Sequence, residues 1–168
     1  HINIYFFMSN IGLIIGKKNS VGVPGKNTRI IVGRPAAEYA FIAGTYAGLD
    51  KIYVSTDCET IAEIGKKYNA IHIDRPSKLA MPDSLTEDVL THAYEIIKNE
   101  NSDKEIKTIS LLFSNNPAVN VDLLKEAINF LSNTKDYDSC FSVCKYDMFS
   151  PARARRVSNE GEIKPFVN

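Results

Sequence analysis

Ile11-Gly-Leu-Ile-Ile-Gly16-Lys17-Lys18-Asn19-Ser20-Val-Gly22-Val-Pro24-Gly25-Lys26-Asn27-Thr28 is the stretch from which the rest of the chain can be read. The apolar run Ile11 to Ile15 predicts a buried strand. At Gly16 it breaks into a loop carrying Lys17, Lys18 and Lys26, the further glycines Gly22 and Gly25, and Pro24. In parallel sheets, ligands gather at the carboxyl ends of the strands. A loop there with bare backbone amides and fixed positive charge suits a polyphosphate. Glycine lets the backbone approach an anion closely, and lysine supplies point charges. The same composition also describes a solvated turn.

Two familiar phosphate motifs are excluded. Gly25-Lys26 is followed by Asn27 rather than Ser or Thr, so there is no Walker A loop, and Gly-x-Gly-x-x-Gly is absent. Downstream, amphipathic segments alternate with short apolar runs. Pro35 suits the first turn of a helix over Ala36–Gly48, with Ala37, Ala40, Phe41, Gly44 and Ala47 on one side. Ile52–Ser55 predicts a strand, and Thr56 with Glu59 a capping box for a helix over Glu59–Asn69. Ala70–Ile73 predicts a third strand. Ser84 and Glu87 predict a second capping box, for a helix over Leu85–Lys98 with Val89, Leu90, Ala93, Tyr94 and Ile97 inward. His92 on that helix reads as a solvated or core histidine rather than a base. Asn99–Lys107 reads as a loop and Thr108–Phe113 as a fourth strand. Asn120 caps a predicted helix over Val121–Asn133 with Leu123, Leu124, Ala127, Ile128 and Leu131 inward, and Asp138–Lys145 is expected as a fifth strand. Arg153, Arg155 and Arg156 fall on a predicted edge strand protected by charge, with a turn at Glu160-Gly161. Strands alternating with helices predict a three-layer α/β/α sandwich with a mainly parallel, Rossmann-like sheet. The loops after its first four strands would converge on one face.

Composition narrows the functional classes. The 168 residues hold 20 basic and 20 acidic side chains, so bulk attraction to nucleic acid or to a membrane surface is not expected, and any phosphate site must come from local clustering. No apolar run reaches membrane-spanning length. The three cysteines, Cys58, Cys140 and Cys144, fit no zinc spacing and read as small buried thiols, consistent with a reducing cytoplasm. His1 to Phe7 looks like a protease-site linker, so residues 1–10 are expected to be a tag or a disordered start and residues 11–168 the folded domain.

Three separated motifs resemble the cytidylyltransferases that make CMP-sialic acid and related CMP-nonulosonates. Their loop, roughly Ala-Arg-x-x-Ser-Lys-x-x-Pro-x-Lys-Asn, is matched by Ser20, Pro24, Lys26 and Asn27, with Lys17 for the arginine and Val21 for the second lysine. Gly33-Arg34-Pro35 matches the start of the family's Gly-Lys-Pro-Leu segment. Val54-Ser55-Thr56-Asp57 followed by Glu59 and Ile61-Ala62 matches a frequent family string, though its structural reading is a helix cap. Arg75, Pro76, Leu79, Ala80 and Asp83 match Arg-Pro-x-x-Leu-Ala and the aspartate after it, with Met81-Pro82 as a small insertion. Where the family has Leu-Leu-Gln-Pro-Thr-Ser-Pro-Leu-Arg, this chain has Phe113 for glutamine and Val119 for arginine.

The resemblance implies nucleotidyl transfer from CTP to an acidic sugar. It implies catalytic roles for Lys17 and Lys26. Nucleotide contacts would come from Lys17, Asn19, Ser20, Gly22, Lys26, Asn27, Arg75 and Asp83, and sugar contacts from Phe113, Ser114, Asn115 and Asn116. Mg²⁺ is expected with ligands unassigned, because the family's metal-binding aspartates and dimerisation segment are expected beyond Asn168. A homodimer is implied for the full-length protein.

Overall fold

The apolar run that opens the chain becomes the centre of a sheet. In a computed structural model, which describes residues 8–20, 22–103, 105–143 and 155–165, the first strand β1 spans Met8–Gly16. It therefore starts earlier than Ile11, and Met8–Asn10 belong to the strand rather than to a disordered start. Next come a hairpin, β2 (Ile30–Ile31) and β3 (Arg34–Pro35), then helix α1 (Ala36–Tyr46) and strand β4 (Lys51–Thr56). Helix α2 (Glu59–Lys67), strand β5 (Ile71–Asp74), helix α3 (Thr86–Glu100) and strand β6 (Glu105–Phe113) follow. Helix α4 (Val121–Asn133) and a second hairpin, β7 (Arg155–Val157) and β8 (Ile163–Pro165), complete the described elements.

The main sheet has the order β5-β4-β1-β6, and every neighbouring pair is parallel. Side chains alternate across a strand. Ile14 of β1 therefore joins one cluster with Ala40 and Phe41 of α1, Ile61 and Ile64 of α2, and Leu112 of β6. Ile11, Leu13 and Ile15 join the opposite cluster with Val89, Ala93 and Ile97 of α3. Helices on both faces explain why β1 is apolar without alternation. This is the expected three-layer α/β/α sandwich. The winding reverses between β1 and β6, so the crevice at their carboxyl ends is the topological switch point where such sheets place ligands.

Several local expectations are corrected. Neither capping box forms. Thr56 Oγ1 accepts from the amide of Cys58 (3.0 Å), and Cys58, without a side-chain cap bond, precedes α2. Ser84 Oγ donates to the carbonyl of Lys78 (2.7 Å), and Leu85 precedes α3. In both places the hydroxyl bonds a different backbone group instead, two residues on for Thr56 and six residues back for Ser84. Asn120 does cap α4, accepting from the amides of Asp122 (2.9 Å) and Leu123 (3.1 Å).

Residues 29–34, read as a plain connection, form the β2–β3 hairpin. Tyr94, expected inward, is exposed, and α4 has no buried residue, with Leu123 on its exposed side. Residues 138–143 form no strand and are exposed. Cys140 among them is a free, exposed thiol rather than a buried one, while Cys58 is buried. Cys144, Lys145 and Arg153 lie outside the described residues. Arg155 and Arg156 fall on β7, which pairs with β8 across a turn at Gly161 (φ +83°). No described helix is long and apolar enough to cross a membrane.

Candidate functional site at the switch point

The end of β1 is packed too tightly for any side chain. A Cβ on Gly16 would meet Ser114 Cβ at 2.8 Å and Ile61 Cδ1 at 2.9 Å, as well as the Ser114 hydroxyl. Ser114 is buried, and its amide donates to the carbonyl of Ile15 (3.1 Å), so the loop leaving β6 is tied directly to β1. The buried Ser114 Oγ has no hydrogen-bond partner among the described residues.

From Gly16 the chain enters the lysine loop. Asn27 is buried and its Nδ2 donates to the carbonyl of Lys17 (2.8 Å), closing the base of the loop. The carbonyls of Asn27 and Arg29 accept from the amides of Ala37 (2.8 Å) and Ala36 (2.9 Å). The loop thereby caps α1, and those amides are not available to an anion. The amides of Asn19, Ser20 and Gly22 make no hydrogen bond to a described residue. Gly25 (φ +67°) supplies the left-handed bend that lets the amides of Lys26 and Thr28 turn back on Val23 (3.2 Å) and Gly25 (3.1 Å).

The second and third motifs meet this loop through two carboxyl ends. The amide of Lys18 donates to Asp57 Oδ1 (2.8 Å), just past β4. Past β5, the buried Arg75 donates from Nη2 to the carbonyl of Ser55 (2.6 Å) and from Nε to Ser55 Oγ (3.3 Å). Burial pushes the Arg75 guanidinium below its ordinary pKa, and the charge of Asp57 works against that shift. Lys17 Nζ donates to the carbonyl of Met81 (3.3 Å), so the segment after Arg75 reaches the loop after β1.

The residues read from the sequence are thus brought together unequally. Lys17, Asn27, Arg75 and Ser114 sit in one bonded framework. Lys26 is half-buried, and its ammonium has no hydrogen-bond or ion-pair partner among the described residues. Asn19, Gly22, Asp83 and Asn115 are exposed, Ser20 is half-buried, and their side chains hold no described partner. Phe113 is 45% exposed at the end of β6. Asn116 Oδ1 accepts from the amide of Ala118 (3.2 Å) within its own turn. Ser55 and Asp57, absent from the residues the sequence singles out, bond Arg75 and Lys18 here; the position of their string at a strand's carboxyl end is the signal for them.

Two concavities lie elsewhere, one along Asp122, Lys125, Asn129 and Phe130 of α4, the other around Leu49, Asp50, Lys51 and Ile71 at the amino ends of the strands. Neither is lined by residues of the lysine loop. Among the described residues no three His, Cys, Asp or Glu side chains converge as a metal cage. Asp136-Tyr137-Asp138 has the spacing of an acidic pair, but it follows α4, whose Ser132 Oγ reaches Asn10 at the opposite end of β1 (3.5 Å). That pair does not fit a metal at the lysine loop.

A parallel three-layer sandwich with a lysine-bearing, amide-rich loop at its switch point defines a Rossmann-like α/β domain of the nucleotidyltransferase class. The chain belongs to the cytidylyltransferase family, whose model, described as "Cytidylyltransferase", matches residues 11–159. The pseudaminic acid cytidylyltransferase of Campylobacter jejuni is 27% identical over 133 residues, covering 77% of this chain and 56% of that protein. The CMP-N,N'-diacetyllegionaminic acid synthase of Legionella pneumophila is 24% identical over 168 residues, covering 94% of this chain and 67% of that protein. The fold is similar to that of a CMP:2-keto-3-deoxy-manno-octonic acid synthetase complexed with CTP (TM-score 0.56, 18% identity, 73% of this chain and 47% of that one). This chain therefore spans little more than half of the first of these relatives.

Proposed function

We propose that the chain carries the nucleotide-binding part of an enzyme that activates an acidic sugar, of the nonulosonic or related keto class, with CTP, giving a CMP-sugar and pyrophosphate. The observation supporting this best is the lysine loop at the switch point, tied by Lys17, Lys18 and Asp57 to the segment that carries Arg75. A sugar hydroxyl attacks the α-phosphorus and gives its proton up to solvent, the bond to the bridging oxygen breaks, and pyrophosphate leaves. Negative charge grows on the phosphoryl and leaving oxygens, so cations placed there stabilise the transition state more than the ground state. Lys17 and Lys26 take that role, and the amides of Asn19, Ser20 and Gly22 add dipoles. Lys17 in place of arginine keeps the charge but loses the two-pronged donor geometry.

Asn27 holds the loop through Nδ2, bonded to the carbonyl of Lys17, and keeps its second N–H and Oδ1 for the nucleotide. Arg75 presents what its bonds to Ser55 leave free, and exposed Asp83 is left to the nucleotide's sugar or base. On the acceptor side stand Phe113, Asn115 and Asn116, with Ser114 beneath them. Mg²⁺, as a companion of the triphosphate, would neutralise phosphate charge. A cytoplasmic, homodimeric full-length protein fits the same reading.

Incubation with CTP, Mg²⁺ and a panel of nonulosonic acids, with pyrophosphate release as readout, tests it. Turnover with at least one acid is the expected result. CTP binding without release from any acid would leave a nucleotide-binding relative without activity, a reading that Phe113 in place of the family's glutamine favours. Absence of any CTP-induced thermal shift would overturn both.

A further inference from the structure

Lys17 is the one lysine of its loop whose ammonium has a described partner, and that partner is a neutral carbonyl of a different segment. The segment is strung between unequal anchors. At its root, Arg75 is buried and held by two bonds to Ser55. A single 3₁₀ turn, Ser77–Leu79, follows, and Ser84 Oγ closes back on the carbonyl of Lys78 (2.7 Å). Between these points Ala80–Ser84 forms a strap, with Met81, Pro82 and Asp83 exposed. Its only described hydrogen bond to a residue beyond the Arg75–Ser84 segment is Lys17 Nζ to the carbonyl of Met81, at 3.3 Å. That carbonyl also accepts from the amide of Ser84 at 3.3 Å, so it is shared between two long bonds.

We propose that this bond is a ligand-sensitive latch: the Met81 carbonyl occupies the position on Lys17 that an anionic ligand takes, and ligand binding frees the strap. The proposal rests on the lysine loop being a polyphosphate site. A phosphate oxygen is an ionised acceptor and binds an ammonium more strongly than a neutral amide carbonyl does. The lysine stem is flexible, so the exchange needs no backbone change in the loop. Arg75 holds the root throughout, so release is confined to Ala80–Ser84. The strap thereby acts as an internal competitor, and Met81-Pro82 is the stretch that brings its carbonyl within reach.

Hydrogen exchange of the peptide covering residues 79–86 tests the latch, in the wild-type chain, Lys17→Met, Lys17→Arg and Lys18→Met, each with and without inorganic pyrophosphate. Loss of one hydrogen bond of this kind corresponds to about two- to tenfold faster exchange. That acceleration is expected in Lys17→Met without any ligand, and in the wild type when pyrophosphate is added. Lys17→Arg, which keeps a donor, should restore slow exchange, and Lys18→Met should exchange like the wild type in the ligand-free comparison. Circular dichroism and melting of each variant show whether it is folded. Unchanged exchange in folded Lys17→Met would overturn the latch whatever the ligand does. Should that variant not fold, slower or unchanged exchange in the wild type on pyrophosphate binding would overturn it. Failure of CTP to bind at all would instead defeat the functional reading, which the ligand-free comparison does not use.

Discussion

Gly16 shows how one residue couples the sheet to the site. Its missing side chain is what allows Ser114 and Ile61 to close over the end of β1. Gly16→Ala forces either the β6 loop or the start of the lysine loop to shift, at a cost of about 1–3 kcal/mol, typical of overpacking a tight contact. Urea unfolding should show that loss, and CTP affinity should fall with it because the loop's first residue has moved. Ser114→Ala in the same background should recover part of the stability, since it removes the hydroxyl nearest the new methyl. Tyr53 is a second informative residue. It is fully buried, and its hydroxyl accepts from Asn101 Nδ2 (3.0 Å). Burial raises its pKa above 10.0, as it does for Tyr68. A tyrosine whose folded pKa is raised gives stability that is full below the unfolded value and is lost as pH rises through the folded value. Tyr53→Phe should cost about 1 kcal/mol at neutral pH. The gap to the wild type should narrow above about pH 10, which paired thermal melts at neutral and alkaline pH would read.

At the scale of elements, the hairpin β2–β3 turns on Val32 and Gly33, with φ of +46° and +81°. Such a turn wants Asn-Gly, and a β-branched residue in the left-handed region is strained. Val32 is also 92% exposed, so its side chain contributes almost no packing in return. Val32→Asn should therefore raise stability by about 1 kcal/mol, seen as a higher midpoint in urea with unchanged slope. This hairpin was not legible beforehand because its turn lacks the usual residues: Ile30-Ile31-Val32 reads as one apolar run. The two capping boxes failed for a related reason. A Ser/Thr-x-x-Glu pattern does not say whether the hydroxyl will meet the helix amide or another backbone group, and Thr56 meets the amide two residues on while Ser84 turns back to the carbonyl of Lys78. Asn120 was read correctly because its short carboxamide reaches the second and third helical amides from the cap position. The helix α4 was placed well but its burial was not. Periodicity gives the apolar face of a helix, and only the neighbouring elements decide how far that face is covered.

For the whole molecule, the parallel sandwich follows from alternation of apolar runs and amphipathic segments, and the candidate site is proposed where the first run stops. Less visible were the bonds that join the motifs, because Lys18 to Asp57 and Lys17 to Met81 cross from one strand's end to another's. Those bonds leave charge unevenly spread around the switch point. Lys17, Lys18, Lys26 and Arg75 lie on the β1 and β5 side, whereas Ser114 to Asn120, after β6, contains no basic residue. With 20 basic and 20 acidic groups overall, the chain has no net field to draw in a polyanion, so the proposed triphosphate binding rests on these few side chains. Lys26 is the sharpest test, since no described group competes for its ammonium. Lys26→Ala should weaken CTP binding about ten- to a hundredfold, the value of one charge-assisted hydrogen bond. Lys125→Ala, which removes an exposed cation on α4, should change it little. Titration calorimetry at two salt concentrations would read both, with the Lys26 effect shrinking as salt screens the exposed rim. Equal losses in the two variants would mean that CTP is held by diffuse charge rather than at the end of β1.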